Sequence, residues 1–413
     1  MKKNQTKTQP SRSKISILAQ LCKWIPTHLV SRLARETGVD EQARTFLPWS
    51  HVVSLLFAQL AHAIGLNDVC DALNLHSGPL SAVRGATAPS RNNLSHANKV
   101  RDAALAEKLF WSQLDYLQSL KPGFAHGTRF RLARRFKRVI HVVDSTVIEL
   151  VASCLDWAKH RRRKAAAKCH LRLNLHSFLP GFAIIDTARE NDAKRARELT
   201  AGIRAGEIVL FDKAYVDFEH LFALHQRGVF WVTRARDDFR YRVVKKLAKS
   251  KDKRILRDEL VELTVFRSHR AYRQPMRRIV ARVEVDGKEV EMVFITNNLE
   301  WSAGTIADLY RCRWQIEVFF KQIKQTLQLA DFLGQSANAV RWQIWTALLL
   351  YVLLRFVAWI NGWAHSFTRL FAVVRCALWE RWDLTRLLRR YGTADGSFRC
   401  LGQPEQAYLP HFL

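Results

Sequence analysis

Three acidic residues and one charged helical segment carry the chemistry open to this chain. Asp144 lies in or just after an apolar strand, VIHVVD, and Asp212 ends another, IVLFD. A carboxylate in such a place costs several kcal/mol to desolvate unless it is paired or metal-bound. Either one, taken singly, also suits a cap or a turn. Glu317 belongs to 305–329, where apolar residues recur at helical spacing. On a wheel of 100° per residue, Tyr310, Arg313, Glu317 and Lys324 fall within a stripe of about 60°. Leu309, Cys312, Ile316, Phe319, Phe320, Ile323 and Leu327 occupy the core-facing side. Taken alone, the stripe reads as a solvated face with an i,i+4 Arg–Glu pair. Joined by Asp144 and Asp212, Glu317 completes an all-oxygen donor set, which suits Mg²⁺ or Mn²⁺ and not zinc. Two such ions about 4 Å apart can clamp a phosphodiester, one activating a water or 3′-hydroxyl, the other stabilising the leaving oxygen. Arg313, Lys324 and Tyr310 then add donors and positive charge for phosphate beside carboxylates that repel it.

The elements around these residues are expected to bring them together. RVIHVVDSTVIEL reads as a strand carrying Asp144. Residues 168–178 and 180–188 read as strands separated by the Pro180-Gly181 turn signal. A helix over 192–204, a strand from 207 to about Asp212, a helix over 217–228 closed by Gly228 and a strand over 229–236 follow. Three strands, helix, strand, helix, strand is the order of an RNase H-like α/β core, in which the strands of Asp144 and Asp212 are neighbours. Residues 237–300 interrupt it as a mainly β insertion with an Asp286-Gly287 hairpin turn. Within it, 240–278 holds 14 Lys and Arg against 4 Asp and Glu. The remainder, before about 120 and after 305, reads as helical. Ser90 is a candidate N-cap for a polar helix bearing Arg91, Asn92, Asn93, His96, Asn98, Lys99 and Arg101, a set able to meet phosphates and base edges or simply to face water.

Composition narrows the partners. The chain has 413 residues, a formal charge of +29 and 48% hydrophobic residues. Such hydrophobicity, with 13 Trp, excludes disorder for most of it. The charge favours polyanions, nucleic acid or an anionic membrane. Seven scattered Cys without a C-x-x-C pair argue against a zinc site or a disulfide scaffold and fit a reducing compartment. The run 342–360 is apolar enough to tempt a membrane reading, but Arg355 within it and Arg341 beside it point to a buried helix. His141, His170 and His176 read as core or surface histidines, and 159–168 as either a DNA-facing edge or a solvated loop.

The spacing Tyr-x2-Arg-x3-Glu-x6-Lys, met by Tyr310, Arg313, Glu317 and Lys324, resembles the signature of a large group of bacterial insertion-sequence transposases of the DDE type, the IS-four-like family. HVVDST resembles that family's first-aspartate block. LFDKAYVDFEHLFALHQRGVFWVTRAR resembles the second, with Lys213-Ala214 where Arg-Gly is commoner. The resemblance extends over roughly 40–370. It implies Asp144, Asp212 and Glu317 as catalytic metal ligands, two Mg²⁺ or Mn²⁺ ions, and DNA contacts from Tyr310, Arg313, Trp314 and Lys324. Trp314 fits a DNA-end contact or packing against the insertion equally well. The implied reaction is cleavage at terminal inverted repeats followed by strand transfer into target DNA, cut-and-paste transposition. A homodimer in the DNA-bound complex, a bacterial cytoplasmic location at the nucleoid and no membrane role go with it. The expected division is a disordered basic tail (1–14), a helical DNA-end-binding region (15–130), the core's first part (131–236), the β-rich basic insertion (237–300), the glutamate helix of the core (301–335) and a helical C-terminal region (336–413). A nuclease without strand transfer, or a non-catalytic DNA-binding remnant or regulator, is the alternative.

Overall fold

A computed structural model describes residues 11–391 except 40, 42, 127–135, 151–153, 162–163, 188–191, 286, 328 and 330–331. The expected basic tail, most of the basic run 128–138 and Asp286 of the expected hairpin turn lie wholly or largely outside the described residues. The described chain forms two compact units. One comprises 11–124, 150, 154–157 and 321–391, the other 125–126, 136–149 and 158–320, in each case for the described residues.

The second unit is mixed α/β, built on a ten-stranded sheet. In chain order its strands are β1 (Ile140–Leu150), β2 (Lys159–Arg161), β3 (Lys164–Asn174), β4 (Leu179–Thr187), β5 (Ile208–Phe211), β6 (Phe230–Arg234), β7 (Tyr241–Lys246), β8 (Ile255–Leu263), β9 (Met276–Val285) and β10 (Lys288–Thr296). They lie in the order β2-β3-β1-β5-β6-β10-β9-β8-β7, with β4 on β3. β1, β5 and β6 run parallel, and β3 and β4 antiparallel. The parallel strands are short apolar runs because both their faces are covered. Ile140, Val142, Val143 and all of β5 are buried. The helix Phe218–Gln226 makes the crossover from β5 to β6, its N-terminus capped by Asp217, which accepts from the Glu219 and His220 amides.

The turn between β3 and β4 differs from expectation. Pro180 and Gly181 lie inside β4, with Pro180 opposite Leu173 next to a register shift. Asn174 makes the turn instead, its side chain accepting from the His176 and Ser177 amides, and Phe178 takes φ +59°. Gly181 serves close approach, since a Cβ there would come within 3.1 Å of the Arg172 guanidinium. Arg172 in turn donates to the carbonyls of Leu199 and Gly181.

Strands β7 to β10 extend the same sheet, entering through an antiparallel pairing of β10 with β6. Not all of their positive charge faces outward. Arg277 pairs with Asp258 at 2.7 Å and Arg278 with Glu259 at 2.8 Å, all four side chains buried. Lys245, Lys246, Lys249, Lys251 and Lys253 are exposed.

The first unit is helical around Ala337–Ile360. That helix is long and apolar enough to cross a membrane, with a mean hydropathy of 1.7, yet 89% of its apolar window is buried within the protein. Ser336 caps it. The helices Pro48–Ala61 and Ala104–Leu120 pack against it. The polar helix anticipated after Ser90 spans Arg91–Val100, and Ser90 Oγ accepts from the Asn93 amide as its N-cap. Two of its candidate contact residues turn inward. Asn98 is buried against His51 at 2.9 Å, and Arg101 donates to the Phe46 and Leu47 carbonyls. Arg91, Asn92, Asn93, His96 and Lys99 remain exposed.

Candidate active site

Strand register sets the first two acids. β1 and β5 pair in parallel from Ile140↔Ile208 to Val143↔Phe211, so Asp144 and Asp212 are the next residues on adjacent strands. Neighbouring strands lie about 4.8 Å apart, and residues in step along a parallel pair present their side chains to the same face. The Asp144 carboxylate accepts from the Ser145 amide at 2.8 Å. Asp212 opens a tight turn, Lys213–Tyr215, in which the Tyr215 amide donates back to the Asp212 carbonyl at 3.0 Å. Tyr215 anchors the turn, being buried, packed on Phe211 and 3.4 Å from His170. His141 pairs with Glu207 and His176 with the Arg138 carbonyl, so these histidines support the sheet.

The glutamate segment is not the single helix expected over 305–329. It divides into Ala303–Cys312, capped by Ser302, and Gln315–Lys321, which runs on into a π-helical stretch Gln322–Thr326. Between the helices the backbone tightens, with i→i+3 bonds joining Arg313 to Tyr310, Trp314 to Arg311, Ile316 to Arg313 and Glu317 to Trp314. Each residue in a 3₁₀ turn rotates by about 120° and not 100°, so the single stripe drawn through Tyr310 and Glu317 breaks. Tyr310, in the first helix four residues after the buried Ile306, points inward, only 2% exposed and packed on Phe294, with ring centroids 4.9 Å apart. Burial pushes its phenol up, with Arg313 and Arg234 opposing and Asp212 adding to the rise. Leu309, Cys312, Ile316, Phe319, Phe320, Ile323 and Leu327 are all buried, as the pattern requires.

Arg313 sits at this tight turn and reaches two of the acids. One amino group donates to Asp144 at 2.6 Å and the other to Glu317 at 3.1 Å. Arg313 and Asp144 are 11% and 17% exposed, Glu317 45%. Desolvation pushes the Asp144 carboxyl up to about 6, Arg313 and the Ser145 amide oppose this, and Asp212 and Glu317 push it further. The three carboxylates therefore share one electrostatic field. Burial works against the charge on Arg313, but Tyr310, Asp144, Asp212 and Glu317 together hold its pKa above the ordinary value.

Among the described residues, no group of three or more His, Cys, Asp or Glu side chains converges with metal-holding geometry. The guanidinium stands where two of the three acids meet. The donor chemistry nonetheless fits a hard divalent cation, because every candidate donor is a carboxylate oxygen and their mutual repulsion favours a shared cation. Trp314 lies in the tight turn, half-buried. Lys324 falls in the π-helical stretch, within the helical unit and half-buried. The i,i+4 spacing anticipates the bond from Arg313 to Glu317. Nothing in the sequence signals its bond to Asp144, 169 residues away.

The sequence of the chain matches the Transposase DDE domain over residues 135–353 and a domain of unknown function over 13–83. The transposase-named protein y4zB of Sinorhizobium fredii is 31% identical over 306 residues, 73% of this chain and 81% of its own. A protein of Geobacillus stearothermophilus named as the transposase for insertion sequence element IS5377 is 30% identical, covering 55% of this chain and 59% of its own. Transposase InsG for insertion sequence element IS4 of Escherichia coli K12 is 27% identical, over 45% of this chain and 42% of its own. The matched domain contains Asp144, Asp212 and Glu317 and takes in more than half of the sequence, and this chain belongs to the DDE transposase family.

Proposed function

We propose that this protein is the transposase of an insertion sequence, cleaving DNA at the element's terminal inverted repeats and joining the freed 3′-ends to target DNA. One observation carries the assignment to this site: Asp144, inside β1, and Asp212, just past β5, come next in one parallel register, and Arg313 bonds both Asp144 and Glu317. The order β4-β3-β1-β5-β6, with β1, β5 and β6 parallel, supports an RNase H-like core around them.

Asp144, Asp212 and Glu317 would hold divalent cations, Mg²⁺ or Mn²⁺, in a pair. When bound, such ions supply charge for the phosphate and lower the pKa of an attacking water or hydroxyl. The chain's own residues do the rest. The sheet fixes the two aspartates, one inside β1 and one just past β5, and Glu317 is carried by a helix whose opposite side is buried. Arg313 offers planar donors to a phosphate, Trp314 a face for an unpaired base and Lys324 a point charge, while the Tyr310 ring backs the Arg313 guanidinium. The exposed lysines of 245–253 and the exposed side of Arg91–Val100 would grip the DNA ends. Two ends must be brought together, so a homodimer on DNA, in the bacterial cytoplasm at the nucleoid, completes the reading.

The test is incubation of flanking inverted-repeat DNA and a target with Mg²⁺ and either wild type or Glu317→Gln. Wild type should nick the ends and yield joined donor–target strands, and the variant neither. Nicking without joining would make the protein a nuclease, and equal cutting by both proteins would remove Glu317 from the site.

A further inference from the structure

Arg313 stands where a cation would be expected. Its guanidinium bonds Asp144 at 2.6 Å and Glu317 at 3.1 Å, is 11% exposed and is flanked by the face of Tyr310, 5.6 Å from the ring centroid. A guanidinium bridging two carboxylates, with one N–H bond to each, neutralises much of their repulsion and fixes their separation. It also blocks the space between them. A divalent cation placed among the same oxygens would face a fixed positive charge a few ångströms away, an unfavourable encounter in a half-buried setting.

Building on the reading of the three acids as metal ligands, we propose that Arg313 is a resident counter-ion. It holds Asp144 and Glu317 in position in the metal-free protein and must release at least one of them when metal enters. The side chain so released is the one whose fork fits a DNA phosphate. Metal entry and phosphate capture thus become linked through a single residue. The backbone geometry favours this exchange. Arg313 lies in the tight turn of i→i+3 bonds between two helices, and its long side chain can be re-aimed by a change of rotamer while the buried Ile316 and Phe319 hold the backbone in place. Arg313 is therefore a positioning residue for the acids before it is a ligand for DNA.

The experiment measures Mn²⁺ binding to the DNA-free full chain by electron paramagnetic resonance, beside its melting temperature with and without Mn²⁺. The proteins are wild type, Arg313→Gln, Arg313→Lys and Glu317→Gln. Removing the resident charge should tighten Mn²⁺ binding about tenfold or more, because a like charge beside the ion is taken away. Arg313→Gln should also melt lower than wild type without metal and gain more from Mn²⁺. Arg313→Lys, which keeps one charge but not the fork, should lie between the two and serves if Arg313→Gln fails to fold. Unchanged or weaker Mn²⁺ binding in both Arg313 variants would overturn the proposal and leave a plain structural ion pair. Equal Mn²⁺ binding by wild type and Glu317→Gln would overturn the metal-site reading itself, a different result from the same measurement.

Discussion

Residue type and setting single out Asp144 and Asp212, since a carboxylate on an apolar strand needs a reason to be there. Glu317 alone reads as part of a solvated face and joins them only through the spacing it shares with a known family. The register of β1 and β5 supplies the geometry that composition cannot. On the proposed reading, replacing one carboxylate with its neutral isostere would remove a metal ligand and leave the groups proposed to grip phosphate. Asp144→Asn, Asp212→Asn and Glu317→Gln should therefore each lower cleavage by about 10³-fold or more and leave binding of the terminal repeats nearly intact. Single-turnover cleavage and a gel-shift titration measure the two quantities separately. A variant cutting at a tenth of the wild-type rate would exclude that acid. Arg313 was only half legible. Its i,i+4 relation to Glu317 lies in the sequence, whereas its bond to Asp144 exists only once the fold has brought distant segments together.

At the level of elements, the buried side of the glutamate segment was readable and its continuity was not. Apolar spacing records which residues face the core, and it tolerates a local 3₁₀ or π turn because the burial of Leu309, Ile316 and Phe319 is kept. Tyr310 shows what the uniform wheel misses, because it lies in the first helix, four residues after the buried Ile306, and faces inward onto Phe294. Phe319 lies on the buried side at 1% exposure, against Phe178 and Phe320. Phe319→Ala should cost about 3–5 kcal/mol of stability, read from urea unfolding. A loss below about 1 kcal/mol would mean that the ring is not held in a packed core. The stretch 241–296 was readable as β and basic, but not as an extension of the same sheet, because pairing partners leave no mark on strand periodicity. Its charge also divides into two kinds. Arg277 and Arg278 are committed to buried carboxylates, whereas the lysines from 245 to 253 face outward. Neutralising Lys245, Lys246 and Lys249 should flatten the salt dependence of DNA binding, by about 0.9 in log–log slope for each phosphate that is no longer neutralised. Neutralising Arg277 should instead destabilise the fold, since it strands Asp258. An unchanged slope in the triple variant would place β7 off the DNA.

For the whole molecule, a charge of +29 means that acidification adds repulsion to a chain already strongly positive, and buried neutral histidines sharpen that response. In the helical unit, His51 lies fully buried, bonded to Asn98 and packed 4.4 Å from the ring of Trp342. Burial pushes its pKa down to about 3, with the Asn98 bond opposing and Arg101 adding to the fall. The linkage follows from the sign of that shift. Above about pH 6.5 the imidazole is neutral in both folded and unfolded chains and contributes no pH dependence. Between pH 6.5 and about 3 the unfolded chain takes up a proton that the folded one refuses, so stability falls as pH falls, by up to roughly 1.4 kcal/mol per pH unit. Asp144 acts in the opposite sense in the other unit. Its carboxyl is held up to about 6, so the folded form takes its proton first and gains relative stability as pH falls from there towards the ordinary carboxylate range. His51→Gln should keep a polar partner for Asn98 while removing the titrating group. It should start less stable at neutral pH because the fit beside Trp342 is lost, yet show a flatter decline between pH 6.5 and 4.5. Melting followed by tryptophan fluorescence across that range, at constant ionic strength, gives both numbers. Parallel declines in variant and wild type would show that His51 protonates in the folded protein, and that the acid response comes from the surface charge instead.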